Sequence, residues 1–122
     1  MKEILQNRTK QFALDILDLS EHLPEERAAV LIAHQLTKSA TSVGANYRAA
    51  CRAADDKEFI YKMNKVLEEA DESCYWLEII DEKGWVPLET LAPIMVEADE
   101  LTAIFVQSLK TINRRIQMNA RF

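Results

Sequence analysis

Apolar residues recur every three or four positions in four successive stretches of this chain, and proline or glycine lies near most of the breaks between them. An α-helix repeats about every 3.6 residues, so this spacing gathers the apolar side chains on one helical face. The 122 residues include only 2 glycines and 3 prolines, which are too few for the many turns of an all-β fold. The sequence therefore predicts an all-α protein of four amphipathic helices.

The first three helices have recognisable ends. The first is predicted over residues 3–22, because a proline follows it, and the second over residues 25–50, because acidic residues open it near the positive end of the helix dipole. Asp55 has the character of an N-cap for the third helix, with Glu58 in the position of a capping box. Gly84 is expected to end that helix as a C′ glycine.

The fourth helix is predicted to begin near Pro87 or Thr90. Pro93 fits it only within the first turn, where the missing N–H of proline has no helical partner to lose. Four helices joined by short connections favour an up-down-up-down antiparallel four-helix bundle. We expect residues 1–122 to form this single domain, with residues 114–122 as a basic tail that is free to fray.

Charge and hydropathy exclude several functional classes. The formal net charge of −5 argues against a generally basic nucleic-acid binder, although it leaves room for a local basic patch. No stretch is long and apolar enough to cross a membrane, and no apolar signal core follows the first residues, so we expect a cytoplasmic protein without membrane contact. Cys51 and Cys74 are expected about 25 Å apart along the bundle, too far for a disulfide.

No arrangement of residues predicts catalysis or a cofactor. A di-iron bundle needs Glu-x-x-His pairs, and neither His22 nor His34 has a glutamate three residues before it. Two distant cysteines and two histidines form no zinc-ligand spacing, and no glycine-rich loop precedes a helix to hold phosphate. We therefore expect no enzymatic activity, no metal and no cofactor.

Four polar residues share one face of the second helix at spacings of four, three and four: Gln35, Ser39, Ser42 and Asn46. This stripe is either a solvated face or a face turned towards the third helix. We favour the second interpretation, in which Glu69, Glu72 and Ser73 complete a hydrogen-bonded network. Small residues of the same helix, such as Gly44, Ala45 and Ala49, allow close packing within a subunit or between subunits.

Two motifs carry a family resemblance. The segment QLTKSATSVGANYR at 35–48 and the segment EEADESCYWLE at 68–78, with KEFI at 57–60 between them, resemble the four-helix-bundle proteins encoded by intervening sequences in bacterial 23S rRNA genes. The resemblance implies a bacterial bundle without established catalytic activity and a ring-like homo-oligomer, most often a pentamer. Many family members follow the asparagine closely with an acidic residue and a glycine. This chain departs from that pattern, since Asn46 is followed by Tyr47, Arg48, Ala49 and Ala50.

Three large residues, Tyr75, Trp76 and Leu77, are consecutive in the third helix. Consecutive helical positions point about 100° apart, so one core cannot bury all three equally. Leu77 fits the inner face. Tyr75 and Trp76 are therefore candidates for a subunit interface, and the simpler interpretation is an aromatic side chain that lies partly exposed along the bundle.

Basic residues form two groups, one before the turn between the second and third helices and one near the C-terminus. We expect these groups to lie at opposite ends or on separate corners of one subunit, so that only a ring would concentrate their charge. The simpler interpretation is that each is a solvated side chain, with the C-terminal group favouring its helix dipole. The candidate nucleic-acid contacts are Lys38, Arg48, Arg52, Lys57, Arg114 and Arg115.

Two functions follow from these observations. The first is a nucleic-acid-associated accessory protein that contacts RNA, which agrees with the rRNA-gene context of the family and with a more distant likeness to the accessory bundle of diversity-generating retroelements. The second is a protein–protein interaction or scaffolding bundle with no nucleic-acid role, which agrees with the negative net charge and with the aromatic pair.

Overall fold

The computed structural model describes residues 1–121 and contains four helices: α1 Lys2–Ser20, α2 Arg27–Cys51, α3 Asp56–Lys83 and α4 Leu88–Ala120. Each helix packs on the next in chain order, and α4 packs back on α1. Within residues 1–121 the backbones of diagonally opposite helices do not approach each other closely, and side chains such as Tyr47 and Phe105 meet between them in the core. This is the predicted up-down-up-down bundle, and it places the α2–α3 turn at one end of the molecule and the other two connections at the opposite end.

Both ends of α3 follow the predicted capping chemistry. The Asp55 carboxylate accepts a hydrogen bond from the Glu58 backbone N–H at 2.9 Å, and the Glu58 carboxylate accepts one from the Ala54 N–H at 2.9 Å. Gly84 has φ of 65°, the left-handed conformation that an L side chain rarely adopts. The N-cap and the glycine therefore define α3 as the sequence indicated.

The connection between α1 and α2 is longer than predicted. The first helix ends at Ser20 rather than at residue 22, and its last turn is closed by Ser20 Oγ, which donates to the Leu17 carbonyl at 2.7 Å. Glu26 is extended, with φ of −72° and ψ of 147°, so the second helix begins at Arg27 rather than at residue 25. The residues around Pro24 form the turn instead of the first helical turn.

Pro93 lies deeper in α4 than expected. The helix begins at Leu88, and the Leu91 N–H already donates to the Pro87 carbonyl at 3.1 Å. Pro93 is thus in the second turn, and the carbonyl of Glu89 loses its helical donor. Both residues are exposed, so water can satisfy this carbonyl, which explains why the helix tolerates proline there.

A tight contact joins α1 to α2. Thr9 is fully buried, and its hydroxyl donates to the Gln6 carbonyl at 3.1 Å. A Cβ atom built on Gly44 would lie 3.2 Å from Thr9 Oγ1, which is closer than ordinary contacts. The mid-helix glycine therefore lets the two helices approach, and its packing role lies within the subunit.

The four helices differ in length, and this leaves one corner of the bundle open. α1 has 19 residues and α4 has 33. At 1.5 Å per residue, these lengths correspond to roughly 28 and 50 Å. Beyond Met1, a groove of about 670 Å³ opens between the ends of α2 and α4. Farther from this groove, Arg8 of α1 forms ion pairs with two residues of α4, Glu97 and, at 3.2 Å, Glu100.

The apolar core runs the whole length of the bundle. The largest fully buried side chains come from all four helices and include Ile16, Leu36, Leu77 and Phe105. Cys51 and Cys74 are half-buried free thiols. Across residues 1–121, no helix is both long and apolar enough to cross a bilayer.

Candidate nucleic-acid interface

The two basic groups lie at the same end of the subunit, on the separate corners formed by α2 and α4, so the alternative that they lie at opposite ends is wrong. Arg115, near the end of α4, forms an ion pair with Asp56 at the start of α3, with a distance of 3.0 Å between Nη2 and Oδ1. In an up-down-up-down bundle the second and fourth helices run in the same direction. Their C-termini therefore meet at one end, together with the start of α3.

This end carries most of the positive charge of the molecule. We define the basic end as residues 1–3, 48–62 and 110–121, which contain nine basic and four acidic side chains and therefore a formal charge of +5. We define the acidic half as residues 15–27 and 68–100, which contain two basic and sixteen acidic side chains, a formal charge of −14. The four remaining basic residues bring the total to the net charge of −5.

Five of the six candidate contacts lie at the basic end. Arg48 and Arg52 are exposed in and after the last turn of α2, Lys57 is exposed in the first turn of α3, and Arg114 and Arg115 are exposed near the end of α4. Lys38 is the exception, because it lies near the middle of α2. There its charge acts on Glu69 of α3, so it faces the acidic surface instead of the basic end.

The groove below Met1 lies at the centre of the basic end. Its lining includes the side chains of Phe59, Ile104 and Ile112, with the Cys51 thiol at one wall and Arg115 at another. The groove thus combines an apolar surface with a charged rim. Such a surface can accept planar apolar groups beside phosphates.

The predicted polar network reduces to one buried bond between helices. Ser39 and Ser73 are buried, and their hydroxyl oxygens are 3.0 Å apart. Each hydroxyl also has a backbone carbonyl of its own helix within hydrogen-bond distance, Leu36 at 3.2 Å for Ser39 Oγ and Glu69 at 2.9 Å for Ser73 Oγ, so either serine can donate across the interface. This bond joins α2 to α3 and agrees with the structural role that we favoured for the stripe.

The rest of the stripe is half-buried at the outer side of the α2–α3 contact. Gln35, Ser42 and Asn46 are all partly exposed, and Ser42 Oγ donates to the backbone carbonyl of Lys38 at 2.8 Å. These three residues therefore line the surface between the helices instead of forming an interior network.

The two glutamates named with the stripe have separate surroundings. Glu69 is half-buried, and this burial, followed by the nearby charge of Glu72, raises the pKa of its carboxyl. Glu72 is exposed and accepts a hydrogen bond from Trp76 Nε1 at 3.1 Å. Glu72 therefore fixes the indole of Trp76 and does not join the serine pair.

The aromatic pair divides between core and surface. Trp76 is half-buried and packs against the apolar core, while the side chain of Tyr75 is 56% exposed. The two rings meet edge to face, with centroids 5.0 Å apart and an interplanar angle of 68°. Tyr75 and the outer edge of Trp76 therefore present an aromatic surface within the acidic half.

Sequence reasoning missed one exposed aromatic residue near the basic end. Tyr61 is 79% exposed, the most exposed tyrosine of the chain, and lines a groove between α2 and α3. Its position was available as a signal, because Tyr61 is two residues before the buried Met63 and two helical residues turn by about 200°. A large apolar ring on the outward face of an amphipathic helix indicates a surface role.

The side chains of the basic end favour anions as ligands. In the part of the chain that the structure describes, no cluster of three or more His, Cys, Asp or Glu side chains is arranged to hold a metal ion. The exposed arginines and lysines of the basic end are instead suited to binding anions.

Comparison with known proteins identifies the family of the chain. A family model described as 23S rRNA-intervening sequence protein matches residues 2–107. A crystal structure of a protein with unknown function from the S23 ribosomal protein family of Bacteroides thetaiotaomicron is 30% identical, with a TM-score of 0.80 over 87% of this chain and 98% of that chain. No curated protein matches the sequence. Because the family model covers most of its length, the chain belongs to the family of 23S rRNA-intervening sequence proteins.

Proposed function

We propose that this protein is a non-catalytic RNA-associated bundle that binds the phosphate backbone through its basic end. The observation that carries the proposal is the convergence of Arg48, Arg52, Lys57 and the Arg114–Arg115 pair at one end of a single subunit. A net negative protein that collects its cations in one place can bind a polyanion there, while the rest of its surface repels it.

The surface supports phosphate contacts better than readout of base sequence. Arg48 in the last turn of α2, Lys57 in the first turn of α3 and Arg114 near the end of α4 are exposed to solvent, where they can release counterions from a nucleic acid. We therefore expect binding that depends on salt more than on sequence.

Salt titration with charge-reversed variants tests the proposal. The double variant Arg52→Glu, Arg114→Glu changes both basic groups. The double variant Arg27→Glu, Lys83→Glu is the matched control, because both residues are exposed in the acidic half and the net charge changes by the same amount. Five phosphate contacts to a single strand predict a slope of log affinity against log salt of roughly −3.5. We expect the first double variant to lose most binding and the control to retain it. A wild-type protein that binds no RNA at low salt would exclude the proposal.

The family resemblance also supports a homo-oligomer, with a pentameric ring as its expected form and the aromatic surface of Tyr75 and Trp76 as its candidate interface. A ring would repeat the basic end in each copy and so multiply the number of phosphate contacts. Light scattering of the wild-type protein and of Tyr75→Arg tests this part. The expected result is a ring-sized particle for the wild type and a smaller particle for the variant.

A protein–protein scaffold is the second candidate, and the exposure of Tyr75 beside Trp76 is the observation that favours it. Exposed aromatic residues are common anchors of protein interfaces. Binding of a protein partner that Tyr75→Arg abolishes, together with no affinity for RNA, would support this function over the first. Either function agrees with the cytoplasmic location that we propose for the chain.

A further inference from the structure

We infer that Tyr61 is a stacking platform for an unpaired base, so that the RNA bound by this protein is single-stranded at the α2–α3 face. This inference rests on the proposed function and specifies the form of its ligand. The ring of Tyr61 is 79% exposed. Aromatic rings stack on any nucleobase, and proteins that bind single strands combine such rings with nearby cations.

Lysine residues border Tyr61 on its own helix. Lys57 and Lys65 are one turn before and one turn after it, and both are exposed. A strand that follows α3 past Tyr61 would therefore meet a cation on each side of the stacked base. We call Lys57, Tyr61 and Lys65 the ridge of α3. Because Lys57 also belongs to the basic end, this ridge continues the surface that carries the proposed function.

A groove of about 510 Å³ lies beside the ring. Asn46 and Ala49 of α2 form one wall, and Lys62 and Lys65 of α3 contribute to the other, together with Tyr61 itself. The small side chain of Ala49 gives the groove depth, and Asn46 places an amide where the edge of a base can form hydrogen bonds. The polar stripe and the small residues of α2 thus meet the exposed aromatic of α3.

Two of the three carboxylates near this ridge, those of Glu58 and Glu69, form ion pairs with lysines of α3. Lys62 pairs with Glu58 at 3.1 Å and Lys65 with Glu69 at 3.8 Å, while Glu68 lines the groove. Ion pairs of this partly exposed kind contribute little stability, so a lysine can exchange its carboxylate for a phosphate at small cost. The local balance of charge limits the affinity of the ridge alone, and the basic end supplies the rest.

Tyr75 provides an internal contrast on the same helix. Its side chain is also largely exposed, but Asp71 lies one turn before it and Glu72 and Glu78 are close in sequence. Its ring is already packed against Trp76. A nucleic-acid strand would be repelled from this region, so of these two exposed tyrosines Tyr61 is the one that combines an available ring with nearby cations.

A duplex offers no face of a base to Tyr61, because its bases are stacked on one another. The test therefore compares two probes of equal length and charge: an oligouridine strand and the same sugar–phosphate strand with abasic sites. We expect Tyr61→Ala to weaken binding of oligouridine about tenfold, as expected for one lost stacking contact, and to leave binding of the abasic strand unchanged. Tyr61→Trp should retain the preference for oligouridine.

Tyr75→Ala is the control. The quantity to compare among the variants is the affinity for oligouridine divided by the affinity for the abasic strand. This ratio cancels any change in avidity if Tyr75 affects assembly. A ratio that Tyr61→Ala leaves unchanged would overturn the inference while the proposed function stands, and so would a change in particle size caused by Tyr61→Ala without a change in the ratio. A wild-type protein that binds neither strand would overturn the proposed function, and the inference with it.

Discussion

The basic end and the acidic half are built from the same four helices, yet their surfaces have opposite charge. Helix dipoles account for part of this difference, because α2 and α4 begin in the acidic half and end at the basic end. Glu25 and Glu26 lie near the start of α2, and Arg48 lies in its last turn. These charges would occur in many stable bundles without any ligand.

The third helix runs in the opposite direction. It therefore distinguishes a charge pattern set by the helix dipoles from one set by the position along the bundle. Its first turn holds Asp56 and Glu58, which the dipole favours, beside Lys57. Asp81 and Glu82 near its C-terminus, in contrast, are anions that the dipole disfavours. At the C-terminal end of α3 the acidic charge therefore follows the position along the bundle, while at the N-terminal end it also follows the direction of the helix. The stabilising interaction of charged residues with the helix dipoles therefore does not by itself explain the division of charge between the basic end and the acidic half.

The core should not share the asymmetry of the surface. Phe105 is fully buried, and its ring lies 5.7 Å from that of Tyr47 towards the basic end, whereas Leu77 is fully buried on α3 within the acidic half. Phe105→Ala and Leu77→Ala should each cost about 3–4 kcal/mol of the free energy of unfolding, since both leave a cavity. Chemical denaturation measures both values. A loss below about 1 kcal/mol for either variant would show that one region is loosely packed.

The two cysteines should report the difference through their reactivity. Burial is the main reason that the pKa of the Cys74 thiol is raised to about 11, while Cys51 lines the open groove of the basic end. Relative to a thiol of pKa 9, this shift lowers the thiolate fraction of Cys74 roughly a hundredfold at neutral pH. We expect iodoacetamide to modify Cys51 first, as measured by mass spectrometry of peptides. Equal rates at the two sites would contradict the placement of these thiols.

The two caps of α3 allow the stability of the basic end and of the acidic half to be compared within one helix. Asp55→Ala removes the N-cap at the basic end, and Gly84→Ala forces an L side chain into a backbone with φ of 65°. Each substitution should cost about 1 kcal/mol of the free energy of unfolding. Thermal denaturation gives both values, and Ala45→Gly, at an exposed position within α2, is a reference for a backbone effect of similar size.

The pH dependence of stability should show a small contribution from Glu69. Its pKa is raised in the folded protein, mainly by burial and then by Glu72, so the folded state holds the proton more tightly than the unfolded state. The stabilising contribution is therefore fully present below the ordinary pKa and is lost as pH rises through the raised value. Glu69→Gln should remove this loss, so that its stability relative to the wild type increases with pH over that window. A difference that falls with pH would have the wrong sign for this mechanism.

Much of the fold was present in the sequence. The periodic apolar residues specify four helices, Asp55 and Gly84 mark the ends of α3, and the two motifs identify the family, because these signals are local and each depends on a few neighbouring positions. Pro93 shows the limit of such rules. Its cost depends on whether water reaches the Glu89 carbonyl, which the local pattern does not state.

The candidate site depended on tertiary structure. The sequence names Arg52, Lys57 and Arg114 as cations, but residues 57 and 114 are far apart in the chain, and only the direction of each helix brings them to one end. The same holds for Ser39 and Ser73, whose hydrogen bond joins two helices. Local sequence thus determined the elements and the kinds of side chain, whereas the packing of antiparallel helices decided which distant charges and hydroxyls meet, since proximity between elements is a property of the whole bundle.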